Sequence, residues 1–206
     1  RECLLVGVGS NNLTRSGWWD NIECQHWELL WNDEGSSTFL SQLREDVTWL
    51  QNERQLKPAK NNSALDQIDN YLVSCKGWGE ANPVSYYGIN DVNSRSSFPG
   101  FLRRQTKQRW SYNNWNLEII SPFFAENTKN LEHDFFFDLG VKNIQILLPM
   151  DQEGNALCQQ EYFDHINDLE DVSWGKWADD TATPLGLKGQ NFRRLHAKVY
   201  HFYNKK

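Results

Sequence analysis

NLEIISPFFAENTKNLEHDFFFDLGVKNIQILLP, residues 116–149, reads as strand, helix, strand. Residues 116–121 (NLEIIS) form a short apolar run closed by Pro122, which has no N–H to give to a ladder. Residues 127–139 place Leu131, Phe135 and Leu139 on one helical face, and Gly140 supplies the stop. Residues 143–148 (NIQILL) make a second strand, ended by Pro149. Downstream, Tyr162, Phe163 and Ile166 mark another helix, 171–175 a short strand, and 193–202 (RRLHAKVYHF) a final strand. Upstream, strands are expected at 3–8 and 24–31. Helices are expected at about 38–52, capped by Ser37 or Thr38, and at 63–74, capped by Ser63. A further strand fits 84–90, and a short basic helix fits 99–109. Strands alternating with helices predict an α/β fold with a mixed β-sheet flanked by helices. Gly77, Gly79 and Pro83 punctuate the chain, which sets a boundary between residues 1–79 and 80–206.

Composition narrows the classes. A chain of 206 residues with 39% hydrophobic content, ten Trp, eleven Phe and seven Tyr can bury a core, so it is not a disordered tail. The net charge of −6 argues against a protein that coats DNA through bulk positive charge, while leaving room for a local basic groove. Cys3, Cys24, Cys75 and Cys158 lie far apart with no C-x-x-C pair, which fits free thiols in a reducing, cytoplasmic setting better than a disulfide frame or a zinc site. No run of 18 apolar residues predicts a membrane span, and there is no signal-peptide pattern. Arg1 opens directly onto the apolar run Cys3-Leu4-Leu5-Val6, and Asn204-Lys205-Lys206 follows a strand at once; both ends read as cuts in a longer protein.

Two segments carry chemistry. In an extended strand, His196 and Lys198 of His196-Ala197-Lys198 share a face. An imidazole beside an ammonium suits a phosphoryl group: the ring attacks phosphorus or moves a proton, and the ammonium neutralises a non-bridging oxygen. The tripeptide alone fits equally a half-exposed strand with polar side chains in water. The second segment, Gly9-Ser10-Asn11-Asn12 followed by Gly17, Asn21 and Glu23, turns after a strand. Asn12 can donate to a phosphate oxygen there, and Glu23 can accept from an imidazole and fix its tautomer. An ordinary turn explains the same residues.

Together, GSNNLTRSGWWDNIE (residues 9–23) and RRLHAKVYHF (residues 193–202) resemble the phospholipase D superfamily. Its members repeat H-x-K, a short strand, G-S-x-N and N-x-E, and join two copies in one active site. The first segment looks like the rear of one copy, and the second like the front of the other. IISPFF and VKNIQILLP between them are similar to the middle of the second half. The resemblance implies a phospholipase D-like fold with parts of two similar halves: 1–79 the C-terminal part of the first, 80–206 the N-terminal and middle part of the second. It also implies a metal-independent phosphodiesterase with no cofactor, working through a phosphohistidine. By that analogy His196 is the general acid/base, Lys198 and Asn12 hold phosphoryl oxygens, and Glu23 orients the ring. Ser10, Asn11 and Trp18 contact substrate. The first H-x-K is expected upstream of Arg1 and the second G-S-x-N downstream of Lys206, so the rest of the protein or a second chain completes the site.

Many members carry Asp five residues after the motif Lys, where this chain has Tyr203. Its absence is similar to the tyrosyl-DNA phosphodiesterase branch and points to nucleic acid, DNA rather than RNA, as substrate and partner. A nuclease or an end-processing enzyme is the resulting expectation. A phospholipid hydrolase or transferase would need an apolar membrane-facing loop, for which Trp18-Trp19 and residues 98–101 are the candidates. A catalytically inactive binding module of the same fold is the third reading. Arg103, Arg104, Lys107 and Arg109 can face a nucleic-acid backbone or simply solvent, and Trp18 and Trp19 can stack on a base or pack in the core. His26, His133 and His165 lie outside the motifs and read as structural or exposed.

Overall fold

The computed structural model describes residues 3–9, 14–15, 20–32, 37–52, 63–75, 87–88, 98–109, 115–124, 136–137, 139–188 and 190–204. In chain order the first elements are β1 (Cys3–Gly9), β2 (Asn21–Ile22), β3 (Gln25–Trp31), α1 (Ser37–Asn52), α2 (Ser63–Ser74) and α3 (Phe98–Arg109). They are followed by β4 (Trp115–Ile120), β5 (Val141–Leu147), α4 (Gln160–Asn167), β6 (Val172–Gly175), α5 (Asp179–Leu185), β7 (Arg194–Leu195) and β8 (Val199–Tyr203). The protein is mixed α/β, with five helices among the described residues. It divides into two compact units: residues 1–7 with 27–109, and residues 8–26 with 110–206.

In the first unit, β1 and β3 pair, and alternation along β1 turns Leu4 and Val6 inward while Leu5 stays exposed. Helical spacing on α1 and α2 buries Phe39, Val47 and Leu72 against Leu30 of β3, with Leu40, Leu43 and Ile68 packed around them. The Tyr71 hydroxyl donates to the Leu30 carbonyl at 2.7 Å. Burial, and then the neighbouring Cys75 thiol, push Tyr71 up to about 12. The neutral phenol thus stabilises the fold below its ordinary value of 10.0, and that contribution is lost as pH climbs through about 12. Of the expected strand 84–90 only Tyr87 and Gly88 are described, and neither is in a strand. Tyr87 packs instead on Phe98 and Phe101 of α3, whose Arg103 and Arg104 are exposed.

The second unit is built on a four-stranded sheet in the order β6-β5-β4-β8, the first three parallel and β8 antiparallel to β4. The period of two separates its faces. One carries buried Leu117, Ile119, Ile144, Ile146 and Val172. On the other, Glu118 stands opposite both Gln145 and His201, and Gln145 opposite Ser173. Helix α4 covers the apolar face through Tyr162 and Ile166, with Phe163 stacked on Trp174 at 5.5 Å. Most of the expected helix over 127–139 lies outside the described residues; Phe136 packs on Tyr200 and Phe202, and Gly140 takes the left-handed φ of 82°.

Three features depart from expectation. The final strand is not continuous over 193–202 but breaks into β7 and β8, because the chain pairs with β2 as far as Leu195 and then joins β4 from Val199. Helix α5 has seven residues, contains Pro184 and starts on Ala178, which makes no side-chain cap, so neither periodicity nor capping announces it. Strand β2 has two residues, too few for alternation to register.

Because Ile144 is 1% exposed in mid-sheet, Ile144→Ala is expected to destabilise the protein by about 2–5 kcal/mol in urea unfolding, while Gln145→Ala, one residue on and facing out, changes stability by about 0.5 kcal/mol or less.

Candidate active site

The site is assembled by β2 and β7, which pair in parallel with Asn21 opposite Arg194 and Ile22 opposite Leu195. The His196 N–H extends the ladder by donating to the Ile22 carbonyl at 2.9 Å, and the Arg193 guanidinium donates to the Asn21 carbonyl at 2.6 Å. The next residue on the β2 side is Glu23 and the next on the β7 side is His196, so the register brings their side chains together. Nδ1 of His196 lies 2.8 Å and 3.0 Å from the two Glu23 carboxylate oxygens. The Glu23 side chain is 6% exposed and that of His196 21%. A carboxylate so withdrawn from water needs hydrogen-bond donors, and the imidazole supplies one. Nδ1 therefore carries the proton toward Glu23, and the lone pair of the neutral ring sits on Nε2.

Lys198 follows two residues later. Its Nζ donates to the His196 carbonyl at 2.9 Å and stands 3.4 Å from both ring nitrogens. Ala197 between them is buried, so the alternation expected of a strand persists although residues 196–198 have no strand pairing of their own. The structure thus brings Glu23, His196 and Lys198 together. Ser10, Asn11, Asn12 and Trp18 lie outside the described residues. Tyr203 sits at the far end of β8 opposite Asn116; burial, and then Glu118 beside it, raise its hydroxyl above the usual phenol range.

The pattern of residue types missed one neighbour. Phe123 meets the His196 ring edge to face with centroids 5.6 Å apart, and Lys198 Nζ lies 5.2 Å from the Phe123 ring centre. The signal lay in Ser121-Pro122-Phe123-Phe124, directly after β4: two adjacent aromatics at a strand end cannot both face the core. Because β8 starts at Val199 opposite Ile120, the end of β4, Lys198 and Phe123 gather at the carboxyl end of the parallel strands. That is where ligands bind in open α/β sheets. A larger cavity of about 560 Å³ lies on the polar sheet face near Asn116, Asn143 and Tyr203, and none of Glu23, His196 or Lys198 lines it. Proximity to reactive groups, rather than size, singles out the His196 site. Among the described residues no group of three or more His, Cys, Asp or Glu is placed to hold a metal ion, and no helix is long and apolar enough to cross a membrane.

A buried carboxylate, an imidazole with its lone pair turned away from that carboxylate, and an adjacent ammonium can bind an anion and move a proton at one of its oxygens. The chain matches no family model, no curated protein and no solved structure.

Nitrogen-15 NMR of the imidazole is expected to show His196 as the Nδ1–H tautomer in the native protein. Glu23→Ala should shift the population toward Nε2–H; a ring that is Nε2–H from the start contradicts the contact with Glu23.

Proposed function

We propose that this chain is part of a phospholipase D-like phosphodiesterase that hydrolyses nucleic acid, DNA in particular, through a phosphohistidine. The observation that supports this most is the contact of Glu23 with His196 Nδ1 at 2.8 Å, with Lys198 Nζ 3.4 Å from the same ring. These residues come from the two segments that resemble the superfamily motifs, 173 positions apart. The two-half organisation, residues 1–79 and 80–206, belongs to the same proposal.

In this reading a second histidine, supplied by another segment of the protein or by a second chain, attacks phosphorus. As the P–N bond forms and the P–O bond to the leaving group breaks, protonated His196 gives its Nε2 proton to the departing oxygen. Neutral His196 then takes a proton from water at Nε2. The water oxygen bonds to phosphorus, the P–N bond breaks, and the second histidine is released. Glu23 holds the ring by Nδ1–H and stabilises the imidazolium that each cycle forms. Lys198 neutralises the non-bridging oxygens, and Asn12, by the motif alone, donates a hydrogen bond to them. Net charge is −6, yet Lys198 Nζ stands 3.4 Å from the His196 ring, so the local charge suits a phosphate even though the whole protein does not.

The full-length protein is expected to cleave bis-(p-nitrophenyl) phosphate and single-stranded DNA in EDTA. His196→Asn, which keeps an N–H for Glu23, should lower turnover by about 100-fold or more while leaving the melting temperature near the native value. Turnover unchanged in that variant, or no turnover by the native protein on either substrate, overturns the proposal.

A further inference from the structure

Residues 121–124 follow β4 and are pinned at three points. The buried Ser121 hydroxyl donates to the Phe123 carbonyl at 2.9 Å and accepts from the Phe123 N–H at 3.2 Å. Pro122 fixes its own φ. The Phe124 ring is wedged between Tyr162 of α4 and Trp174 of β6, with centroids at 5.4 Å and 5.5 Å. A backbone held this way leaves Phe123 little choice of position, and it is held outward: it is 63% exposed, the highest value among the described large apolar side chains. Burying such a ring is ordinarily worth about 1.5–3 kcal/mol, and this loop is built so that burial does not happen within the unit.

Among the described residues the ring has neighbours on two sides. Against one side stand His196 and Lys198, at 5.6 Å and 5.2 Å. It also lines a cavity of about 320 Å³, together with Pro122, Phe124, Ala156, Leu157 and Cys158. That volume is at the small end of ligand-sized cavities, about 300–1,000 Å³. Its lining carries polar and apolar surface in similar measure, with no ionised side chain among the residues just named, and burial keeps the Cys158 thiol above its ordinary range and therefore neutral at pH 7. Among the described residues, Gln159 supplies an amide side chain to the wall. A single phenyl ring thus stands between an uncharged cavity and an ammonium and an imidazole suited to a phosphoryl group.

We propose that Phe123 and this cavity form the subsite for the nucleobase next to the scissile phosphate, and that the substrate is accordingly unpaired nucleic acid. The inference rests on the phosphodiesterase reading and adds the substrate class. A flat aromatic group bonded through a sugar to a phosphate matches the juxtaposition, with the base on Phe123 and the phosphate on Lys198. Within a duplex a base is stacked and paired and cannot reach a protein ring without being flipped out, so unpaired strands bind at lower cost. The subsite contributes chiefly by stacking on Phe123, which every base can do, with Gln159 on the cavity wall beside it.

The test uses the full-length protein in EDTA with three substrates: an unmodified single strand, a single strand with a tetrahydrofuran abasic residue at the position flanking the cleaved bond, and the unmodified strand annealed to its complement. Native protein should prefer the unmodified strand over the abasic and annealed ones by on the order of 10- to 100-fold in kcat/KM. Phe123→Ala should raise KM on the unmodified strand by a similar factor, with a much smaller change on the abasic strand, so that the preference between the two collapses. Phe123→Trp should restore the preference. Equal losses on the unmodified and abasic strands would show that Phe123 only supports His196 and Lys198, and equal native rates on the two strands would remove the base subsite; either overturns this inference while phosphodiesterase activity stands. Failure to cleave any strand or bis-(p-nitrophenyl) phosphate overturns the phosphodiesterase reading itself.

Discussion

Glu23 and His196 are 173 residues apart, and the chain must close that loop before either has any chemistry. Closure of a flexible loop of this length costs about 4–5 kcal/mol by the logarithmic scaling of loop entropy. The two-residue ladder of β2 on β7, with the flanking donations of His196 N–H and Arg193, gives a handful of hydrogen bonds worth about 1 kcal/mol each net. That only matches the cost of closure. The surplus comes from the neighbouring sheet, where β8 runs five rungs along β4 and the buried face of β4, β5 and β6 fixes where β8 must begin. With Val199 set opposite Ile120, the segment just before it is delivered to the carboxyl end of the parallel strands. The contact between a buried carboxylate and Nδ1 then locks the imidazole in one orientation.

The same arrangement explains why the reactive groups stand where the sheets end. Residues 196–198 carry the chain from one sheet to another, so their backbone is spared from a continuous ladder; Lys198 is exposed and His196 partly so, while Ala197 between them is buried. Ser121-Pro122-Phe123-Phe124 leaves β4 at the same edge and supplies the aromatic neighbour. Rigid strands up to that edge and short, pinned segments beyond it place an ammonium, an imidazole and a phenyl ring side by side without a long loop.

Much of this was legible in the sequence, for physical reasons that differ by element. The apolar alternation of residues 116–121 and 143–148 and the helical spacing of Leu40, Leu43 and Val47 reflect burial, which one sequence records well. The boundaries of α1, α2 and β6 follow from the same patterns. Helix α5 and strand β2 escaped because seven residues with an internal Pro, or two residues of any kind, carry no period. The break between β7 and β8 escaped because it is set by which partner strand is nearest, a tertiary fact. Of the candidate site, Glu23, His196 and Lys198 were named from motif spacing. Phe123 was not, since nothing local tells which of two adjacent phenylalanines turns outward until Ser121 and Trp174 are in place. Asn12, Ser10, Asn11 and Trp18 rest on the motif alone.

The account stands on His196 serving a covalent phosphoryl intermediate rather than acting as a structural clasp for a buried carboxylate. The most direct test is mass spectrometry of the full-length protein quenched in alkali while it turns over a short single-stranded oligonucleotide ending in a p-nitrophenyl phosphodiester, whose leaving oxygen needs no proton from His196. A nucleotide adduct that survives alkali, is released by acid and accumulates in His196→Asn, where water is no longer activated, is the predicted result. An adduct-free protein at every time point, with His196→Asn cleaving at the native rate, would contradict it.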